Sequence, residues 1–72
     1  MNVRNRKINM TVIFKAITEK GWSHYRLANE AGISHPSISR IFKTGTCSRW
    51  HLHLIAKALG IEEETILEEE NK

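Results

Sequence analysis

Apolar residues recur at intervals of three and four along most of the chain, which is the spacing of one face of an α-helix. Four such stripes are present: Met10, Ile13, Phe14 and Ile17; Leu27, Ala28 and Ala31; Ile38, Ile41 and Phe42; and Leu52, Ile55, Ala56 and Leu59. No segment alternates apolar and polar residues as a half-buried strand does. The pattern therefore predicts an all-α fold, to which a last short helix starting at Ile61 adds Ile66 and Leu67.

Glycines and serines mark the ends of these helices. Gly21 and Gly60 end the first and the fourth, and Ser23 and Ser48 are placed to cap the second and the fourth. Gly32 allows the positive φ that a sharp exit from the second helix requires. Five short helices are therefore expected, with a tight turn between the second and the third.

The start of the third helix has two interpretations. Ser34 can cap it if its hydroxyl accepts from the N–H of Ser37, because Pro36 has no N–H. Alternatively His35 caps it, and Pro36 takes the first helical position, which proline favours. A residue before proline avoids the α region, which favours His35 as the cap.

These blocks resemble the helix-turn-helix of the lambda-repressor and Cro-like (XRE) family of small DNA-binding regulators. The matching residues are Gly21-Trp22-Ser23, Leu27-Ala28, Ala31-Gly32-Ile33-Ser34, Ile38-Ser39-Arg40-Ile41, Gly45, Leu52 and Ile55-Ala56-Lys57-Ala58-Leu59-Gly60. The resemblance covers residues 10–67. It implies a lambda-repressor-like bundle that binds duplex DNA sequence-specifically, as a bacterial or phage-type transcriptional regulator and repressor.

The recognition helix is expected at about residues 35–43, in the major groove. Its outward side chains are short, polar and cationic, with no acid among them. His35, Pro36 and Ser37 resemble in position the residues with which the family touches base edges. Pro36 offers apolar contact alone, for example to a thymine methyl. Arg40 could bind guanine O6 and N7 with two hydrogen bonds, and its alternatives are a phosphate contact or a structural ion pair.

A second set of residues is expected to contact the DNA backbone. By resemblance, His24 approaches a phosphate and braces the start of the third helix, and the loop after that helix runs along the backbone. The expected phosphate contacts are Ser23, His24, Lys43, Thr44, Thr46, Ser48 and Arg49. The alternatives are that Ser23 serves as a helix cap and that the loop is an ordinary polar loop.

Charge divides the chain into a basic body and an acidic end. Ten Lys and Arg against two Glu give residues 1–60 a formal charge of +8, and one Lys against six Glu gives residues 61–72 a charge of −5. A basic body favours a polyanion such as DNA. The expected organisation is a loosely held basic arm over residues 1–8, a single helix-turn-helix domain over residues 9–68, and an acidic tail over residues 69–72.

One pair of positions departs from the family. Many members carry an Arg in the first helix that pairs with a Glu near the end of the third, and Ile17 and Phe42 stand at the matching positions here. An apolar pair avoids the cost of desolvating two charges. We therefore expect Ile17 and Phe42 to contact each other in the core.

Family members commonly bind as dimers, with half-sites about 34 Å apart. A homodimer on DNA is thus the expected assembly. The candidate interface residues are apolar groups outside the core stripes: Trp50, Leu54, Ile61, Ile66 and Leu67. The alternative for the last three is that the fifth helix closes the core of the monomer.

Other function classes find little support in the residues. Cys47 is the single cysteine, and His51 and His53 lack the i, i+4 spacing of a chelating pair, so neither a metal, a cofactor nor an enzyme is expected. No small-molecule substrate, membrane span or secretory signal is evident, and the bacterial cytoplasm or a phage-infected host is the expected location. The competing hypothesis is a protein-interaction module on the same fold, such as an antitoxin or anti-repressor.

Overall fold

The computed structural model describes residues 6–67, which form five α-helices and two short β-strands. The helices are α1 (Met10–Lys20), α2 (His24–Ala31), α3 (His35–Thr44), α4 (Arg49–Leu59) and α5 (Glu63–Ile66), and the strands are β1 (Arg6–Lys7) and β2 (Thr46–Cys47). The four helices that the apolar stripes predict and the expected last short helix are all present, but the last one begins at Glu63 and not at Ile61. None of the helices among residues 6–67 has the length and hydropathy to cross a membrane.

Each helix contributes one fully buried side chain to a common core. These side chains are Ile13, Leu27, Ile38, Ile55 and Ile66, taken in chain order from α1 to α5. No polar or charged residue among residues 6–67 is buried with them. The core is therefore held by apolar burial, which is the dominant favourable contribution to folding.

Side-chain caps begin the first four helices. Asn9, Ser23, Ser34 and Ser48 each accept a hydrogen bond from a backbone N–H two or three residues further on. The cap of α3 is Ser34, whose Oγ lies 3.3 Å from the backbone N of Ser37. The preference for His35 as the cap is therefore wrong. The Ser34 hydroxyl passes over Pro36, which has no N–H, and satisfies the next donor instead.

The turn between α2 and α3 depends on a glycine. Gly32 has φ 75° in the left-handed region, and the N–H of Ile33 then donates to the carbonyl of Ala28 at 2.9 Å. This hydrogen bond satisfies one of the last carbonyls of α2. Ile33 is buried, so the turn is held in place against the core.

A small antiparallel sheet ties the start of the described chain to the loop after α3. Arg6 pairs with Cys47 and Lys7 pairs with Thr46. The expectation that the chain has no strand is wrong at these four residues. The short strands carry no alternating apolar pattern because each is two residues long and pairs through its backbone.

The end of the expected arm is packed rather than loose. Ile8 is buried and forms an isolated antiparallel bridge with Leu67. The backbone N–H of Ile8 donates to the carbonyl of Gly45 at 2.9 Å, which joins the segment before α1 to the loop after α3. Residues 1–5 of the expected basic arm and the expected acidic tail over residues 69–72 lie outside the described residues.

The candidate interface residues differ in exposure. Ile66 is fully buried and is therefore part of the monomer core, which corrects its candidacy for a dimer contact. Leu54, Ile61 and Leu67 are half-buried and pack against the core. Trp50 is 64% exposed and is the member of the set with the most accessible surface.

Candidate nucleic-acid interface

The outward face of α3 is polar and cationic. Ile38 and Ile41 turn the opposite face into the core. Pro36, Arg40 and Lys43 are all exposed, and their spacing of four and three residues places them in one row along the helix. No acidic residue lies within α3. This row has the shape and charge that a helix needs to enter a DNA groove.

A groove of about 190 Å³ runs beside this row, between α3, β2 and the start of α4. It joins Ser37 and Arg40, two expected base readers, with expected backbone contacts from the following loop. The complete lining consists of Ser37, Arg40, Ile41, Thr44, Thr46, Cys47, Ser48 and His51. His51 is a member that the sequence did not suggest, because its place beside α3 depends on how α4 packs.

Hydroxyl groups organise the loop after α3. The Thr44 hydroxyl donates to the carbonyl of Arg40 at 3.0 Å and accepts from the backbone N–H of Thr46 at 3.2 Å. The two threonine Oγ1 atoms lie 3.0 Å apart. Either hydroxyl can be the donor in this contact. Both hydroxyls therefore stabilise the loop.

Ser23 and Ser48 cap helices and are also expected to contact the DNA backbone, and each can do both. Ser23 Oγ accepts from the N–H of Arg26 at 3.1 Å, and Ser48 Oγ accepts from the N–H of His51 at 3.3 Å. Accepting uses a lone pair and leaves the hydroxyl hydrogen able to donate to a phosphate. Capping and phosphate contact are thus compatible at both residues.

Basic side chains surround this surface unevenly. Lys43 is exposed on α3, and Lys7 lies opposite Thr46 in the sheet. Arg49 instead lines a second groove of about 350 Å³ with Arg6, and this groove also has an acidic side. Its complete lining consists of Arg6, Arg49, Leu52, Glu62, Glu63, Glu64 and Leu67. The structure therefore separates Arg49 from the groove that contains Arg40.

The N-terminus of α2 carries stacked aromatic rings. The His24 ring lies 4.3 Å from that of Tyr25 and 5.0 Å from that of Phe42, measured between centroids. Phe42 is near the end of α3, so this ring contact lies away from the start of that helix. The bracing role expected of His24 stays a prediction.

Tyr25 and Asn29 of α2 both contact His35, the first residue of α3. The Tyr25 ring lies 4.8 Å from the His35 ring between centroids, and Asn29 Oδ1 lies 3.1 Å from His35 Nε2. Sequence reasoning missed both residues. The signal that could have found them is their spacing of four residues, which places both on one face of α2.

The remaining candidates for reactive or metal-binding chemistry are Cys47 and the histidines of α4. Burial raises the pKa of the Cys47 thiol to about 11, so the thiol stays protonated at neutral pH and is a poor nucleophile. His53 Nδ1 lies 2.9 Å from a carboxylate oxygen of Glu63 at the surface. Within the part of the chain that the structure describes, no three His, Cys, Asp or Glu side chains are grouped to hold a metal ion.

Five short helices, a glycine turn between α2 and α3, and an acid-free outer face on α3 define a small helix-turn-helix DNA-binding domain. A family model, the Cro/C1-type HTH DNA-binding domain, matches residues 13–72, and the chain belongs to this family. The resemblance to Cro-like regulators is thereby confirmed. The family is one of DNA-binding regulators, a non-enzymatic kind. No curated protein and no solved structure matches the chain significantly.

Proposed function

We propose that this protein is a sequence-specific regulator that represses transcription by occupying a duplex DNA site with α3 in the major groove. The observation that carries the proposal is the exposed row of Pro36, Arg40 and Lys43, free of acids and opposite the buried Ile38 and Ile41. A rigid helix backed by the core presents these side chains at fixed positions. That is the arrangement in which side chains discriminate base edges.

The proposed base readers are four exposed or half-exposed side chains of α3: His35, Pro36, Ser37 and Arg40. Arg40 is proposed to bind guanine O6 and N7, which contributes about 1–3 kcal/mol of discrimination. Pro36 is proposed to contact a thymine methyl. Ser37 lies beside Arg40 in the groove, and its backbone N–H is already held by Ser34.

The proposed backbone contacts differ in their support. Lys43 is exposed at the end of α3, and the Ser23 and Ser48 hydroxyls retain a hydrogen to donate. His24 lies at the N-terminus of α2, where the helix dipole favours an anion. Arg49, Thr44 and Thr46 complete the proposed set, and the two threonines act chiefly by shaping the loop.

A homodimer on an inverted repeat is the proposed form on DNA. Trp50 supports it, since an aromatic side chain that is 64% exposed is a common component of interfaces. Leu54, Ile61 and Leu67 are half-buried and could extend such a surface.

The test is selection of bound duplexes from a randomised DNA pool at moderate salt, followed by sequencing. We expect enrichment of an inverted repeat with a guanine that depends on Arg40. Arg40→Lys keeps the charge but loses the two-pronged hydrogen bond, so it should relax the preference at one base pair and retain most of the affinity for unrelated DNA. Enrichment of no sequence by the folded protein would contradict the proposal and favour a protein-interaction module such as an antitoxin or anti-repressor.

A further inference from the structure

The first side chain of α3 is held by two residues of α2. The His35 ring stacks against the Tyr25 ring at a centroid distance of 4.8 Å and an interplanar angle of 39°. Its Nε2 lies 3.1 Å from Asn29 Oδ1. Tyr25 and Asn29 are one helical turn apart on the same face of α2, so both side chains contact the same ring.

The contact with Asn29 determines which nitrogen of His35 carries the hydrogen. The Asn29 oxygen accepts hydrogen bonds and cannot donate, so His35 Nε2 must be the donor. A neutral imidazole with hydrogen on Nε2 has a bare Nδ1, which is an acceptor. Among residues 6–67 Nδ1 has no hydrogen-bond partner, so His35 keeps one ring nitrogen that can accept a hydrogen bond.

We propose that Asn29 and Tyr25 are positioning residues that make His35 select a base carrying an amino group. In the major groove these groups are the N6 amine of adenine and the N4 amine of cytosine. Guanine N7 and O6 and thymine O4 are acceptors, which a bare Nδ1 cannot pair with. This inference rests on the proposed function, and it names the chemistry of one base contact within it.

Tyr25 contributes by restricting the ring. A half turn of the imidazole about its Cβ–Cγ bond exchanges Nδ1 with Cδ2 and Nε2 with Cε1, so that a carbon would face Asn29 in place of Nε2. Stacking against Tyr25 favours one ring plane, and the hydrogen bond to Asn29 favours one of the two half-turn orientations within it. The two contacts together specify both orientation and tautomer, whereas neither does so alone.

The decisive variant is Asn29→Asp. A carboxylate still accepts from Nε2, but its negative charge stabilises the doubly protonated ring. Nδ1 then carries a hydrogen and becomes a donor, so the preferred partner becomes guanine or thymine. Thr18→Asp adds the same charge at an exposed position of α1. It should lower affinity for all sequences without changing any preference.

The experiment is the same pool selection, applied to the wild type and to five variants: Asn29→Asp, Asn29→Ala, Tyr25→Phe, Thr18→Asp and His35→Ala. His35→Ala identifies the base pair that His35 contacts. At that pair we expect adenine or cytosine over guanine or thymine by about tenfold in the wild type, and about tenfold the other way in Asn29→Asp. Asn29→Ala should remove the preference, and Tyr25→Phe, which keeps the ring, should preserve it.

A second readout works without DNA. Long-range ¹H–¹⁵N spectra of the wild type, recorded where the imidazole is neutral, should show His35 with hydrogen on Nε2, and Asn29→Ala should show a mixture of tautomers. The inference is overturned if Asn29→Asp keeps the wild-type preference, if His35→Ala changes no preference, or if the free protein carries the hydrogen on Nδ1. If the wild type enriches no sequence at all, the proposed function fails, and the inference fails with it.

Discussion

Phe14 of α1 and Phe42 of α3 form an edge-to-face pair, with ring centroids 5.3 Å apart and planes at 81°. Many members of the Cro-like family carry a Glu at the position of Phe42, and an Arg that pairs with it at the position of Ile17. Ile17 is buried and Phe42 is half-buried, so neither is exposed. The contact that the structure establishes from Phe42 to α1 is with Phe14, and direct contact with Ile17 stays a prediction.

The Phe14–Phe42 pair should show measurable coupling. In a double-mutant cycle of Phe14→Ala and Phe42→Ala, we expect a coupling free energy of about 0.5–1.5 kcal/mol, because edge-to-face rings gain energy beyond their burial. Urea denaturation supplies the four unfolding free energies. Additivity within about 0.3 kcal/mol would show that the two rings do not interact.

Burial of Ile66 predicts that the last helix stabilises the monomer. Ile66→Ala should lower the free energy of unfolding by about 2–5 kcal/mol, the usual cost of emptying a fully buried aliphatic site. Trp50→Ala is the control, since a largely exposed side chain should change stability by less than about 0.5 kcal/mol. Equal losses in the two variants, measured in urea at several protein concentrations, would contradict this assignment.

The left-handed backbone of Gly32 in the turn predicts that substitutions of this residue lower the stability of the protein. Its φ is +75°, and an added Cβ would have no neighbour within 4 Å, so a substitution meets strain without a clash. Gly32→Ala should cost about 1–2 kcal/mol of stability. Gly32→Asn should cost less, because asparagine tolerates the left-handed region better. Thermal or urea unfolding that ranks Ala level with Gly would refute this account.

Because the Cys47 thiol is buried, we expect the protein to lose stability in alkaline solution. Its pKa is raised by burial from 9.0 to about 11, so at intermediate pH the unfolded chain releases the thiol proton while the folded chain keeps it. The contribution of the protonated Cys47 thiol to the free energy of unfolding is therefore fully present below pH 9. It is lost as the pH rises toward 11.

The measurement for Cys47 is urea denaturation across that range for the wild type and Cys47→Ala. The two proteins differ only at position 47, so the difference between the two curves isolates the thiol. We expect the wild type to lose stability more steeply with rising pH. Parallel curves would show that burial does not perturb the thiol.

We expect Lys43→Ala to change the salt dependence of DNA affinity. Removing one phosphate contact should reduce the slope of log affinity against log salt by about 0.9. Arg26→Ala is the control, because it removes the same charge from a side chain that forms an ion pair with Glu30 on α2. In this pair Arg26 Nε lies 2.8 Å from a carboxylate oxygen of Glu30. The proposed phosphate contact is excluded if Lys43→Ala and Arg26→Ala give the same slope on the selected site.

Local chemistry made much of the fold predictable. The apolar spacing defines α1 to α4 because one helical face must be buried, and that requirement repeats every three or four residues. Ser23 and Ser48 as caps and Gly32 at the turn follow from hydrogen bonds and φ angles within a few residues. The Ser34–His35 choice was decided wrongly because two local preferences competed there.

Tertiary packing decided the rest of the candidate site. His51 joins Ser37 and Arg40 in one groove, and Asn29 reaches His35, because the packing of α2, α3 and α4 brings together side chains from different helices.

The sequence by itself determined that this chain is a bundle of short helices with a cationic, acid-free third helix, since periodicity, capping and charge are properties of neighbouring residues. Only the tertiary structure decided that the segment before α1 closes against the end of the chain, with Ile8 paired to Leu67 and the N–H of Asn9 bonded to the carbonyl of Ile66 at 2.6 Å. The physical reason is distance along the chain. A backbone pairing between residues so far apart leaves no periodic signature, and the packing of the intervening helices must offset the entropy cost of bringing its ends together.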